Sequence, residues 1–333
     1  MPEPRYDVLA IGNAIVDIMA RTEEDFLLSE GLAKGSMRLV DAAEADRLYA
    51  HMGPAIETSG GSAGNTAAGL ASLGGRVAFI GTVADDVFGG LYRHDMKAIG
   101  VDFGTPALSG GRPTARCMIF ITPDGERTMN TYLGASQELS PRDIDPATVG
   151  DAAVTYLEGY LWDPPEAKAA FLHAAAIAHE AGRKVALTLS DAFCVDRYRA
   201  EFLDLIRKET VDIVFANETE LRSLYETASF DAALSALQAD CALAAVTAGA
   251  EGAYVVERDG ITKVPATPVE TVTDTTGAGD LFAAGFLFGH ARGMPLREAA
   301  RLGTLCAAEV IGHIGPRPAV SLADLARQSG FDL

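Results

Sequence analysis

Short, unbroken apolar runs alternate along this chain with longer stretches in which apolar positions recur every three or four residues. Residues 6–12, 76–81, 153–157, 184–189, 211–215 and 243–247 read as buried strands, because a run that is apolar at nearly every position needs cover on both faces. Residues 87–99, 165–181 and 296–311 read as helices, as does the apolar segment starting at Leu281. Such alternation predicts a three-layer α/β/α chain wound on a central, mostly parallel sheet. Two regions depart from it. Residues 117–122 and 126–131 flank Pro123-Asp124-Gly125 and read as a β-hairpin, with a shorter hairpin turning at Asp259-Gly260. Residues 18–50 alternate short polar and apolar pieces and predict a small irregular lobe rather than another sheet–helix unit. Together these give one domain over 1–333 with a discontinuous lid from about 18–50 and 105–135.

The polar residues that punctuate this pattern fall at strand ends, where parallel sheets bind ligands. Thr273-Asp274-Thr275-Thr276-Gly277-Ala278-Gly279-Asp280 runs into a helix, and its two glycines leave the first amides open as an anion cradle. Asp280, in the first helical turn, is either a general base for a hydroxyl attacking a phosphoryl group or an acid that merely improves the helix dipole. After the first strand, Asn13 and Asp17 either grip the vicinal hydroxyls of a sugar or serve a turn and the solvent. Residues 59–74 form a glycine-rich loop entering a helix of small residues. There Gly60 and Gly61 expose amides and Asn65 points its amide at the same ligand, unless the stretch is only a tight helix after a glycine turn. Asn217 and Glu220 share a face of one helical turn, suited either to Mg²⁺ held through water or to an N-cap. Thr247 and Gly249 are placed for nucleotide phosphates or ribose. Arg127, on the hairpin, either neutralises a phosphoryl group or is solvated. His313, in the turn after the last long helix, reads as a cap or a ligand.

Composition narrows the class. The 333 residues carry 27 basic and 46 acidic side chains, a net charge of −19, with no run of Lys or Arg, so nucleic acid and anionic membranes are repelled. No apolar stretch reaches membrane-spanning length and no leader pattern opens the chain, which predicts a soluble cytoplasmic protein, monomeric or homodimeric, acting on small molecules. The 4 cysteines lie far apart without a CxxC pair, so neither zinc nor a disulfide framework is suggested. The sequence lacks GxxxxGK[ST], which removes the P-loop reading, and has no GxGxxG after its first strand, so a nicotinamide-dinucleotide oxidoreductase loses its main support and stays only as a third reading.

Two of these motifs carry a resemblance along nearly the whole length. Gly60-Gly61-Ser62-Ala63-Gly64-Asn65 and Asp274-Thr275-Thr276-Gly277-Ala278-Gly279-Asp280 are similar to the two signatures of the ribokinase-like (PfkB) carbohydrate kinases, and Asn217-Glu218-Thr219-Glu220 resembles their Asn-x-x-Glu motif. The resemblance implies a ribokinase-like fold with a small β-containing lid and ATP as donor. It further implies Asp280 as base, the amides of Gly277, Ala278 and Gly279 as anion hole, and Mg²⁺ organised near Asn217 and Glu220. Nucleotide contacts are implied near Thr247, Gly249 and His313, and a K⁺ site near Asp274 and Gly315. Within the family, Gly12-Asn13-x-x-x-Asp17 and the Thr114–Arg127 hairpin resemble adenosine kinases. That likeness implies a ribose grip by Asn13, Asp17, Gly61, Ser62 and Asn65, with Phe193, Met37 and Leu39 packing on the purine. It predicts phosphorylation of adenosine; the alternatives are a sugar kinase for ribose, fructose or 2-keto-3-deoxygluconate, and a non-catalytic sensor.

Overall fold

The computed structural model of the protein describes residues 3–333. In chain order come β1 (Tyr6–Ile11), β2 (Ile15–Arg21), α1 (Glu24–Ser29), β3 (Met37–Leu39), α2 (Ala42–His51), β4 (Ala55–Ser59), α3 (Ser62–Ser72), β5 (Val77–Ile80) and α4 (Val87–Ala98). The hairpin β6 (Ala115–Ile121) and β7 (Arg127–Tyr132) follows, then α5 (Pro146–Gly150), β8 (Ala152–Glu158), α6 (Pro165–Glu180), β9 (Lys184–Thr188), α7 (Ala192–Arg207) and β10 (Ile213–Asn217). The remainder is α8 (Glu218–Leu224), α9 (Phe230–Asp240), β11 (Leu243–Thr247), β12 (Ala253–Glu257), β13 (Gly260–Val264), α10 (Ala278–Ala291), α11 (Leu296–Ile311) and α12 (Leu322–Gln328).

Eight strands form the main sheet in the order β13-β12-β11-β10-β9-β8-β1-β5. From β5 through β11 every neighbouring pair is parallel, whereas β12 pairs antiparallel with both β11 and β13. Side chains alternate across the strands, so the sheet feeds two cores. Val8 and Ala10 of β1 pack in one with α3, α10 and α11, while Leu9 and Ile11 pack in the other with α6 and α7. The α/β architecture with its mostly parallel central sheet agrees with the sequence reading.

The lobe does not. Residues 18–50 are not irregular: β2, β3 and β4 join the hairpin in a second sheet of five strands, ordered β3-β7-β6-β2-β4. Its strands extend over residues 15–59 and 115–132, wider at the N-terminal side than expected, and the segment 105–114 contributes no strand. One face, with Met118, Phe120 and Tyr132, packs under α1 and α2. The other face, with Cys117, Ile119 and Met129, turns toward the ends of the main-sheet strands.

Two helices that carry the site, α10 and its support α11, approach at a glycine pair. A Cβ on Gly285 would stand 2.7 Å from Gly303 Cα and from the Leu302 carbonyl oxygen, closer than any side chain can sit. Gly285→Ala therefore has to push α11 outward, and overpacking of this kind costs about 1–3 kcal/mol. The urea midpoint should fall without a change in m; an unchanged midpoint would show that the two helices are free to separate.

Candidate active site

Because the strands from β5 to β11 are parallel, their C-terminal ends lie along one edge, with Glu158 beside Thr188 and Asn217 beside Thr247. Asn13, just beyond β1, donates from Nδ2 to Glu158 Oε1 at 2.6 Å and accepts from Gln137 Nε2 at 3.3 Å, so its amide is oriented from both ends. The second oxygen of Glu158 accepts the Ala63 amide at the start of α3, 2.9 Å away. Burial pushes Glu158 up to about 7 against these bonds. Asp17 projects from β2 and is buried. Burial raises it to about 6, opposed by the charges of Arg127 and Arg317, with no protein hydrogen bond to its carboxylate among the described residues. Gly60 makes room for it: a Cβ there would stand 2.3 Å from Asp17 Oδ2.

Asp280 stands in the first turn of α10, a helix entered through Gly277 in left-handed conformation with no side-chain cap. Amides of the opening turn have no partner within the helix, although the Ala278 N–H donates to the Thr275 carbonyl just before it at 3.2 Å. A Cβ on Gly277 would strike Pro316 at 2.8 Å, whereas one on Gly279 would meet nothing within 4 Å. The protein thus fixes the turn with the first glycine and leaves open space at the second. Asp280 Oδ1 accepts from Ser62 Oγ at 2.6 Å and Oδ2 from Asn65 Nδ2 at 3.0 Å. Burial raises its carboxyl to about 6, and these two bonds and Arg317 pull the other way. Asn65 Oδ1 is buried with no partner, an acceptor still to be satisfied.

The hairpin arginine is buried rather than solvated. Arg127 Nη1 bonds to Asp274 Oδ2, while its Nε and Nη2 are buried without partners. Asp274 also accepts the Gly315 amide on Oδ2 and the Thr276 amide on Oδ1, both at 2.9 Å. Burial raises its carboxyl, but the bonds from Thr276 and Gly315 together with the Arg127 charge hold it below the usual range. This donor set does not fit a monovalent cation: the Asp274 carboxylate faces a guanidinium, and Gly315 presents its N–H there. No step is assigned to K⁺.

Asn217 and Glu220 close a capping box at the start of α8. Glu220 Oε1 accepts Asn217 Nδ2 at 2.5 Å and Oε2 accepts the Asn217 amide at 2.9 Å, so both carboxylate oxygens are engaged. Burial pushes Glu220 up to about 7. Direct ligation does not suit such a carboxylate, and no group of three or more His, Cys, Asp or Glu among the described residues could hold a metal. The pair fits only a hydrated Mg²⁺ that arrives with its own phosphate ligands and meets Glu220 through water. The cap reading of this motif therefore holds, and both residues also line the site's cavity.

These groups border one cavity of about 990 Å³. Asn13, Asp17, Gly61, Ser62, Asn65, Arg127, Asn217, Glu220, Thr247, Gly277, Ala278, Gly279 and Asp280 all line it, as do Met37, Leu39 and Phe193. Gly249 and His313 do not: Gly249 is exposed in a turn beyond β11, and His313 bonds Glu309 at 3.2 Å. Asp274 and Gly315 sit behind the anion turn rather than in the cavity wall. Ile15, Cys117, Ile119 and Met129 extend the apolar wall beyond the three residues read from the sequence, and Glu158 adds a carboxylate that was not read. The strand-end rule pointed to Glu158, which directly follows the run 153–157; the apolar additions come from strands whose pairing no local pattern displays.

The chain was compared with known proteins. The profile of the pfkB family carbohydrate kinases matches residues 37–322. A solved adenosine kinase from Sinorhizobium meliloti is 60% identical, with a TM-score of 0.91 over 98% of this chain and 100% of that one. A probable sugar kinase from Rhizobium etli CFN 42 is 54% identical, with a TM-score of 0.92 over 98% and 99% of the two chains. An ATP-dependent ribose-1-phosphate kinase of Halopiger xanaduensis is 32% identical over 267 residues, 79% of this chain and 83% of its own.

The raised carboxyl of Asp280 has a stability consequence. A carboxyl raised from 3.8 to about 6 by folding contributes stability that is full below its unfolded value and is lost as pH climbs through about 6. Asp280→Asn removes that loss while keeping the shape. Its melting temperature should exceed wild type at pH 8, where the gain is roughly 1–3 kcal/mol of stability, with the margin cut to about half at pH 5. Equal melting temperatures at both pH values would mean that Asp280 is ionised without cost.

Proposed function

The chain belongs to the pfkB family of carbohydrate kinases, and on that premise we propose that it transfers the γ-phosphoryl group of ATP to the 5′-hydroxyl of adenosine. The observation that carries this reading is the position of Asp280. One carboxylate, oriented by Ser62 and Asn65, stands in the open first turn of a helix N-terminus and in the same cavity as Asn13 and Asp17. A base belongs at the meeting point of an anion pocket and a hydroxyl-binding site, and a pure binding protein has no use for a half-buried acid facing an anion.

In this reading Asp17, Asn13 and the free acceptor of Asn65 take the ribose hydroxyls. The purine lies against Ile15, Met37, Leu39, Ile119, Met129 and Phe193. Asp280 accepts the 5′-hydroxyl proton as the new O–P bond forms and the bond to the leaving ADP breaks. The amides at Gly277, Ala278 and Gly279 and the unpartnered nitrogens of Arg127 hold the charge on the phosphoryl oxygens. Asn217, Glu220 and Thr247 border the nucleotide side. Mg²⁺ carried on the nucleotide would neutralise part of the phosphate charge there. The five-stranded sheet acts as the lid, which excludes water and so strengthens the electrostatics inside.

A free sugar is the second acceptor to weigh, because two of the three relatives described are named as sugar or sugar-phosphate kinases. The apolar wall speaks for the nucleoside: a pentose would leave Met37, Leu39 and Phe193, which are 51%, 58% and 68% exposed, facing water. ADP release with Mg·ATP should therefore be fast with adenosine and slow with inosine, guanosine, ribose, fructose and 2-keto-3-deoxygluconate, and independent of potassium. Its rate should fall about tenfold per pH unit below about 6, where Asp280 takes up its proton. Turnover with a free sugar alone would overturn the assignment of the apolar wall, and a rate flat down to pH 5 would overturn the base.

A further inference from the structure

Beyond the last long helix, Gly315-Pro316-Arg317 touches both halves of the site without lining the hydroxyl grip. The Gly315 amide holds Asp274, and Pro316 fills the space against Gly277, so two residues of this strap set the anion turn. The third reaches the opposite side. Arg317 Nη2 donates to the Ser59 carbonyl at 2.7 Å and to Ser59 Oγ at 3.2 Å, while its Nε is buried with no partner. Ser59 ends β4 and opens the Gly60-Gly61 turn, which packs on the Asp17 carboxylate and leads into the helix whose Ser62 and Asn65 hold Asp280. The same turn is pinned from α4 by the Ser59 amide to Asp95 Oδ2 at 3.0 Å and by Tyr92 Oη to the Gly60 carbonyl at 3.2 Å.

We propose that Arg317 is a positioning residue of the site: a guanidinium locked beneath the Ser59–Gly61 turn that holds the turn in place and supplies counter-charge to Asp17 and Asp280. The proposal deepens the kinase reading and rests on it. Its electrostatic part follows from the neighbours. Asp280 is faced by Ser62 and Asn65 from α3 and by Arg317 from the strap. Asp17 is faced by Arg127 from the hairpin, by Arg317 and, unfavourably, by Asp280. Arg317 itself is faced by Tyr92 and Asp95 of α4 besides the two carboxylates. Arg317 is thus the cation common to both acids. Two carboxylates in one cavity each raise the other's proton affinity, and a fixed guanidinium between the elements that carry them opposes this.

Arg317→Gln and Arg317→Lys separate charge from shape. With Arg317→Gln the acid limb of kcat against pH should move upward by about one unit, so that turnover near pH 6 falls roughly tenfold relative to its own plateau. Arg317→Lys keeps the charge but loses the planar guanidinium whose Nη2 reaches Ser59, so its acid limb should stay at the wild-type position while KM for the acceptor rises. An unmoved limb in a folded Arg317→Gln protein overturns the proposal. If Arg317→Gln does not fold, Arg317→Lys decides: a raised KM with an unmoved limb supports the proposal, and wild-type kinetics or a moved limb overturns it. Melting temperature between pH 5 and 8 reads the same charge without catalysis. Arg317→Gln should lose more stability than wild type as pH rises, and parallel curves would count against the proposal. Wild-type turnover in the same assay separates the two claims: an inactive wild type sinks the kinase reading, whereas an active one beside an unmoved limb sinks only the role of Arg317.

Discussion

Everything at this site follows from burying acids around a cavity built for an anion. Asp17 and Asp280 are raised to about 6 and Glu158 and Glu220 to about 7, all by burial. Leaving such groups unpaired is costly, so each is fastened. Glu158 holds Asn13 and the start of α3, Glu220 closes the cap of α8, and Asp280 takes Ser62 and Asn65. Asp17 is the exception, with only the charges of Arg127 and Arg317 to offset its burial. That residual need is what a sugar hydroxyl can meet. A raised proton affinity also suits a base, since a carboxyl near 6 accepts a proton more willingly than one near 4 while remaining ionised at neutral pH.

The same bonds make the cavity a junction of sequence-distant pieces. In the proposed reaction its hydroxyl side comes from β1, β2 and α3, its anion side from α10, and its nucleotide side from β10 and β11. The strap after α11 stitches the first two together, and Arg127 links the second sheet to Asp274 behind the anion turn. A bond between that sheet and the anion turn couples the position of the apolar wall to the geometry of the phosphate pocket. The ion pair also stands where a monovalent cation would need to be: the guanidinium already provides the positive charge beside Asp274.

Local pattern carried the main sheet and most of the residues that line the cavity. The runs at 153–157, 184–189 and 243–247 lie within or almost on β8, β9 and β11, because strands buried on both faces need apolar residues throughout. The two glycine turns were legible for a related reason, since close approach to a ligand or a carboxylate excludes a side chain. The second sheet was not legible. β3 is only Met37–Leu39 and leaves both apolar residues exposed, and β2 places Asp17 within an otherwise apolar run, so neither shows a clean period. These strands exist through non-local pairing, β2 with β6 and β3 with β7. The hairpin pattern left Arg127 open between a phosphoryl role and solvation for the same reason: its burial depends on Asp274, 147 residues away. Arg317, in a Pro-Arg-Pro segment that reads as a helix stop, gains its meaning only from Ser59, 258 residues earlier.

The central claim is that Asp280 moves a proton rather than holds a ligand. Its most direct test is the Asp280→Asn protein, assayed side by side for adenosine affinity and for turnover with Mg·ATP. The account predicts turnover lower by a factor on the order of 10²–10⁴, with the dissociation constant for adenosine within a few-fold of wild type. Near-wild-type turnover, or a loss of affinity that matches the loss of turnover, would contradict it.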